Sequence, residues 1–381
     1  MDEHTRIRRI EVGTLWGTRP RAAGTNSRVG PIGDRVEIPL ARLTTDDGVS
    51  GFGISRITRA QAEMLLGVPV HELFAAPQGV VGAGFLCDFP LWDLAGMYAR
   101  QPVYALAATM AGSAALDTLR VPCYDTTLYF DDTHLADDAA GAALIAAEAQ
   151  AGYARGHRAF KLKIGRGARY LPLDVGTRRD IAVIRAVREA VGPECALMLD
   201  ANDGYNLNLT KQVLTETAAC GVFWIEEPFR EDPALYAELR AWLNAQGSAV
   251  LIADGEGEAS AHLLTWARDG VVDVIQYDIF SHGFTRWLAT GRQLDGWGRR
   301  TAPHHYGRCL GNYVSGHLAS VVQGYTYVEW DEATVSELDA TAYVIQEGHV
   351  ALPNLPGFGL ALDEAGFRRT VAETGFTLDA E

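Results

Sequence analysis

Lysine is the residue this chain has least use for: of 33 basic residues only Lys161, Lys163 and Lys211 are lysines, and the rest are arginines. Arginine stays protonated almost everywhere, whereas a desolvated lysine beside a second cation can lose its proton and act as a base. Two of the three lysines stand two residues apart in Phe160-Lys161-Leu162-Lys163-Ile164. In a strand these two share one face and the apolar residues share the other. Charge on a strand also protects sheet edges. A chain that avoids lysine elsewhere nevertheless points to Lys161 and Lys163 as candidate catalytic groups.

Positive charge is scarce as well. The net charge of -15 excludes an extended nucleic-acid or anionic-membrane face. No apolar run reaches membrane-spanning length, and Met1 to Arg9 is too charged for a signal peptide, so a cytoplasmic protein without membrane or nucleic-acid partners is expected. The five cysteines, Cys87, Cys123, Cys195, Cys220 and Cys309, form no CxxC pair and read as buried, reduced thiols. What the chain has is apolar content, 48% over 381 residues, enough for two domains or for a large barrel with an additional domain.

Residues 1–120 read as a mixed domain. Val36, Ile38 and Leu40 alternate with polar neighbours, and Asp46-Asp47-Gly48 supplies a hairpin turn. Phe85, Leu86, Phe89, Trp92 and Ala95 mark one face of a helix. Between the first two strands, Thr18 to Gly33 reads as a long loop carrying Arg19, Arg21 and Arg28. Such a loop suits a lid over an active site, whose shortening would impair turnover and leave metal affinity largely unchanged.

From about Val121 short apolar strands alternate with helices such as the one striped by Ile181, Ile184, Val187 and Val191. A first strand near Val121 to Tyr129 is followed by runs closing on Lys163, Asp200, Glu226, Glu256, Asp278, His304 and Glu329. From Asp200 onward the intervals are 26, 30, 22, 26 and 25 residues, each a strand, loop and helix. Eight strands over 121–340 predict an α/β barrel with its functional groups at the C-terminal mouth. The hairpin-like Val344 to Val350 and the tail, within 341–381, are expected to return to the first domain.

Three consecutive strand ends carrying Asp200, Glu226 and Glu256 would bring together carboxylates that repel unless a divalent cation shares them. An all-oxygen set suits Mg2+, or Mn2+. Asp254 and Glu258 flank Glu256 and are alternatives for the third ligand. Asp278 and His304 end the next two strands and can pair, with His305 an immediate competitor. Lys163 would face His304 across the metal, an arrangement suited to removing a proton next to a carboxylate. Tyr124, Asp125, Thr126 and Thr127 at the first strand end, Asn202, His305, and the arginines Arg19, Arg21 and Arg28 are candidate contacts for a polar substrate.

The segments FPLWDLAGMYARQPVYAL, KLKIG, LMLDAN, FWIEEP, IADGEG, APHHYG and YVEWDE together resemble the mandelate racemase branch of the enolase superfamily over nearly the whole chain. The resemblance implies an α+β N-terminal capping domain, completed by the C-terminal segment, on a modified (β/α)7β TIM-like barrel, assembled as a homo-oligomer. It implies Asp200, Glu226 and Glu256 as Mg2+ ligands and Lys163 as base, with Lys161 as its pKa-lowering and carboxylate-contacting neighbour. Asp278 and His304 would be the dyad, and Glu329 a hydrogen-bond donor to the substrate carboxylate. Enzymes of this kind stabilise an enediolate beside Mg2+ after a Lys or His base has taken the proton. QYDIFSHGF departs from the common pattern and looks more like acid-sugar dehydratases, and the absence of a lysine near strand six counts against the muconate-lactonizing and dipeptide-epimerase branches. The implied activity is dehydration of an aldonate or aldarate to a 2-keto-3-deoxy acid. Alternatives are a racemase or epimerase of a 2-hydroxy acid, and a non-catalytic binding protein on the same fold.

Overall fold

Alternation near the start of the chain builds an antiparallel sheet, with one long ribbon where a loop was predicted. The computed structural model describes residues 4–114 and 116–380; Met1 to Glu3 of the charged opening lie outside the described residues. Strands β1 (Ile7–Ala23), β2 (Gly33–Thr45) and β3 (Ser50–Ile54) pair antiparallel, with Val36, Ile38 and Leu40 buried. Strand β1 therefore consumes the first part of the expected loop, and only residues 24–32 connect β1 to β2. Helix α1 (Asp88–Ala99) buries Phe89, Trp92 and Ala95, while Phe85 precedes it and stays exposed.

The second region alternates strands and helices. Strands β4 (Leu119–Leu128), β5 (Ala159–Lys163), β6 (Ala196–Asp200), β7 (Val222–Glu226), β8 (Leu251–Asp254), β9 (Val274–Ile275) and β10 (Arg300–Thr301) pair in parallel, each with the next. Strand β11 (Val328–Trp330) pairs in parallel with β4, and Thr301 of β10 bridges to Tyr325 just before β11. Helices α2 (Asp138–Ala154), α3 (Leu173–Val191), α4 (Leu207–Glu216), α5 (Pro233–Ala245), α6 (Leu263–Arg268) and α7 (Phe284–Gly296) fall between successive strands from β4 to β10. The predicted stripe Ile181, Ile184, Val187 and Val191 of α3 is buried. Tyr124, Ala159, Met198, Trp224, Ala253, Val274 and Ala302 form a separate buried cluster, one residue from each of β4 to β9 and one just beyond β10. That cluster is the floor on which the site stands.

The C-terminal segment divides differently from expectation. The hairpin β13 (Val344–Gln346) and β14 (His349–Leu352) pairs with the start of β4, not with the first domain, because Val350 and Leu352 bury against that otherwise open edge. The return to the first domain is made by β12 (Thr334–Val335) and β15 (Phe376–Asp379), both antiparallel to β1, with α8 (Glu364–Thr374) before β15. All five cysteines are buried and unpaired. Among the described residues no helix is long and apolar enough to cross a membrane.

Candidate active site

Alternation along β5 places Ala159 in the floor, so Lys161 and Lys163 rise from the same face above it. Register does the rest, since Lys163 stands opposite Asp200, and Asp200 opposite Glu226. Both lysines are buried. Lys163 Nζ donates to Asp200 Oδ2. Lys161 Nζ donates to Glu226 Oε1 at 2.7 Å and lies 3.1 Å from Glu329 Oε1 and 3.5 Å from Asp200 Oδ2. Burial alone would push the Lys163 ammonium down, and Lys161 pushes the same way. Asp200, with Glu256 and Glu226, outweighs both and holds Lys163 above its ordinary value, while Lys161 acts in the lowering direction expected of it.

Glu256 lies two residues past β8, turned in by Gly255. That glycine has φ 132°, and a side chain on it would meet Gln276 N at 3.0 Å. Carboxylate oxygens of Asp200, Glu226 and Glu256 all come within 4.8 Å of one another. Asp254 instead accepts from buried Tyr236, and Glu258 is exposed, so neither alternative joins the group. Glu256 Oε2 is buried without a hydrogen-bond partner, which is what a hard divalent cation with oxygen ligands would use. Around the group Asn202, Asp203 and Glu227 hold positive φ of 41°, 62° and 39°. Such strain costs of order 1–3 kcal/mol per residue and gathers at functional sites.

Asp278 and His304 each stand three residues past their strands, beyond β9 and β10, and face each other across an isolated parallel bridge. His304 Nδ1 and Asp278 Oδ1 are 2.6 Å apart, and Asp278 Oδ2 accepts from Gly257 N at 3.1 Å. The other ring nitrogen of His304 lies 3.1 Å from Glu256 Oε2 without hydrogen-bond alignment. Burial would lower His304, but Glu256, Glu329 and Asp278 raise it to about 9. His305 is buried with both ring nitrogens unpartnered, and burial pushes it down to about 4.

Glu329 accepts three hydrogen bonds within the protein. It takes hydrogen bonds from Thr126 Oγ1 at 2.8 Å, His305 N at 2.7 Å and Tyr306 N at 3.0 Å. Burial would raise its carboxyl, yet Lys161, His304 and His305 hold it well below the usual range. All three arginines proposed as substrate contacts already pair with carboxylates of the protein. Arg19 makes a two-pronged pair with Asp331 at 2.9 and 2.7 Å, and Arg21 pairs with Asp131 and with Glu148 at 3.2 Å. Arg28 reaches Glu256 itself, at 2.5 Å. Tyr124 is buried beside Lys161, its hydroxyl unpartnered.

Several residues around the group were missed. Gln276 Nε2 and Trp224 Nε1 donate to Glu226 Oε2 at 2.9 and 3.0 Å. The Tyr129 ring lies 5.3 Å from Lys163 Nζ and stacks on Tyr306, whose hydroxyl is buried and unpartnered. Gln276 follows the apolar run Val274-Ile275 directly, which was a usable signal that Asp278 obscured.

Comparison with known proteins agrees with this geometry. Residues 144–366 match the family described as Enolase C-terminal domain-like, and the chain belongs to that family. The D-galactarolactone cycloisomerase of Agrobacterium fabrum is 27% identical, covering 87% of this chain and 90% of its own length. A galacturonate dehydratase from Geobacillus sp., solved with D-galacturonate and 5-keto-4-deoxy-D-galacturonate, is 43% identical. It covers 99% of this chain and 100% of its own, with a TM-score of 0.93. A variant of that enzyme complexed with Mg is 42% identical over 100% of this chain and 98% of its own, with a TM-score of 0.96.

Proposed function

We propose that this protein is a Mg2+-dependent hydro-lyase that dehydrates an acid sugar, and that its substrate is a hexuronate of the D-galacturonate type. The observation that carries the reading is the meeting of three strand-end carboxylates with Lys163 on one of them and the His304–Asp278 pair against another. In this reading the strands β4 to β11 form a modified (β/α)7β barrel, closed by β11 on β4, and residues 1–120 with the C-terminal return form its cap. The assembly is read as a homo-oligomer, which light scattering checks.

Asp200, Glu226 and Glu256 would hold Mg2+, which when bound supplies positive charge that stabilises the doubly charged enediolate of the substrate carboxylate. Lys163 and His304 divide the proton transfers. One accepts the proton from the carbon next to the carboxylate, and the other protonates the hydroxyl that leaves from the neighbouring carbon as water. Asp278 fixes the His304 tautomer through Nδ1. Lys161, anchored by Glu226 and Glu329, is placed to bind the substrate carboxylate.

In an aldonate this sequence yields a 2-keto-3-deoxy acid. In a hexuronate, numbered from the aldehyde end, the same operation beside the C6 carboxylate yields a 5-keto-4-deoxy product. The substrate assignment draws on the 43% identity to the galacturonate dehydratase. A screen of aldonates, aldarates and hexuronates for keto-acid formation tests it. Turnover of D-galacturonate above the other acids is expected, and turnover confined to aldonates would refute the hexuronate assignment.

A further inference from the structure

The two oxygens of Glu256 are treated differently. Oε1 accepts from Arg28 Nη2 at 2.5 Å and from Asn202 Nδ2 at 3.2 Å. Oε2 is buried and makes no aligned hydrogen bond, with His304 Nε2 3.1 Å away. The same two donors converge on a single oxygen of Glu227, whose Oε2 lies 3.0 Å from Arg28 Nη2 and 3.1 Å from Asn202 Nδ2. Glu227 is buried, 4% exposed, and its left-handed backbone aims its side chain back at the neighbouring strand end.

Arg28 comes from the cap, on a segment fastened along its length. Asn26 Oδ1 accepts from the backbone of Arg28 at 2.9 Å and of Val29 at 2.7 Å, and Ser27 Oγ donates to Asn202 O at 3.0 Å. Arg169 and Tyr170 donate to the carbonyls of Arg28 and Val29 at 3.2 and 3.0 Å.

We propose that Glu227, Arg28 and Asn202 form a bracket that positions Glu256. By occupying Oε1 they leave Oε2 as the ligating atom, so the cap helps to set the affinity of the metal site. The inference rests on the metal reading above. It makes Arg28 a positioning residue, where the sequence suggested a substrate contact, and it replaces the expectation that the cap segment leaves metal affinity unchanged.

Charge and geometry act oppositely at Arg28, since a cation next to the site opposes Mg2+ while the bracket favours it. Arg28→Lys keeps the charge but removes the planar fork and shortens the reach, so it isolates geometry. Glu227→Leu removes the anchor, and Glu227→Gln keeps an oxygen that can accept both donors. Calorimetric titration of Mg2+ into the full chain without substrate is the measurement. Loss of groups that orient a metal ligand weakens affinity by about 10–100-fold, and that loss is expected for Arg28→Lys and Glu227→Leu, with Glu227→Gln close to the wild type. Arg28 is 42% exposed at its side chain, so its variant keeps the test valid if Glu227→Leu fails to fold. Wild-type affinity in Arg28→Lys would overturn the bracket alone. If the wild type itself binds no Mg2+, the metal reading falls and the bracket with it.

Discussion

Lys163 and Arg166 are three residues apart, and each enters a fully buried cluster of charge. Around Arg166 the polar atoms are used. Its guanidinium bonds Asp132 at 2.7 Å and Asp180 at 2.7 Å, Tyr205 donates to Asp180 at 2.8 Å, and Arg179 closes on Asp132 at 3.1 Å. Around Lys163 several are not. Tyr124 Oη, Asn202 Oδ1, Glu256 Oε2, Gln276 Oε1, Tyr306 Oη and both ring nitrogens of His305 are buried without a hydrogen bond. A buried polar group without a partner costs about 1–3 kcal/mol, so a fold keeps a group of them where a ligand completes them. Unpartnered buried groups also occur elsewhere, at Trp287 and Arg240 for example, so what marks the site is their gathering around one pair of buried lysines.

The largest expected effect breaks the site while sparing the scaffold. Lys163→Arg keeps the cation beside Asp200 but cannot exchange a proton near neutral pH, so turnover should fall by about 10²–10⁴-fold with the unfolding midpoint little changed. Steady-state rates beside a urea titration check both halves. The complementary variant, Asp180→Ala, leaves Arg166 held by Asp132 alone and takes the partner from its Nη1 and from Tyr205, so it should cost about 3–5 kcal/mol of stability by the same urea titration. If it costs nothing, the distinction between the clusters fails.

Smaller effects sharpen the comparison. Asp200→Asn removes one charged ligand, so Mg2+ affinity should drop and a chelator should abolish activity in the wild type, as calorimetry and rate assays report. The saturated scaffold also predicts a pH response. His317 Nδ1 accepts from Tyr104 N at 3.0 Å and its other nitrogen meets Tyr343 Oη at 2.9 Å, a neutral arrangement, and burial pushes it down to about 3. The unfolded chain takes up that proton near the ordinary value of about 6.5. Stability from this group is therefore complete above about 6.5 and lost as pH falls toward 3, by roughly 1.4 kcal/mol per pH unit. Ring NMR signals of His317 should stay neutral at pH 5.

Much of the site was legible because strand ends carry their chemistry in order along the chain. Lys163, Asp200 and Glu226 close their strands as read. Legibility failed where tertiary contacts override local pattern. Strand β1 runs through Pro20 to Ala23 because Arg19 and Arg21 find acidic partners far along the chain, at Asp331 and Asp131. Strands β9 and β10 are two residues long, so Asp278 and His304 project from loops that no periodicity describes. Glu227 and Arg166 could not be singled out from the sequence, since nothing local shows that Arg28 or Asp132 will meet them.

In the proposed reaction one proton is taken beside a carboxylate and water then leaves from the next carbon. NMR of D-galacturonate incubated in D2O with the Mg2+-supplemented enzyme tests it directly. The account predicts a 5-keto-4-deoxy product accumulating as the sugar disappears, and no such product with Lys163→Arg. Recovery of the intact sugar, either unlabelled or deuterated and epimerised at C5 without loss of water, would contradict it.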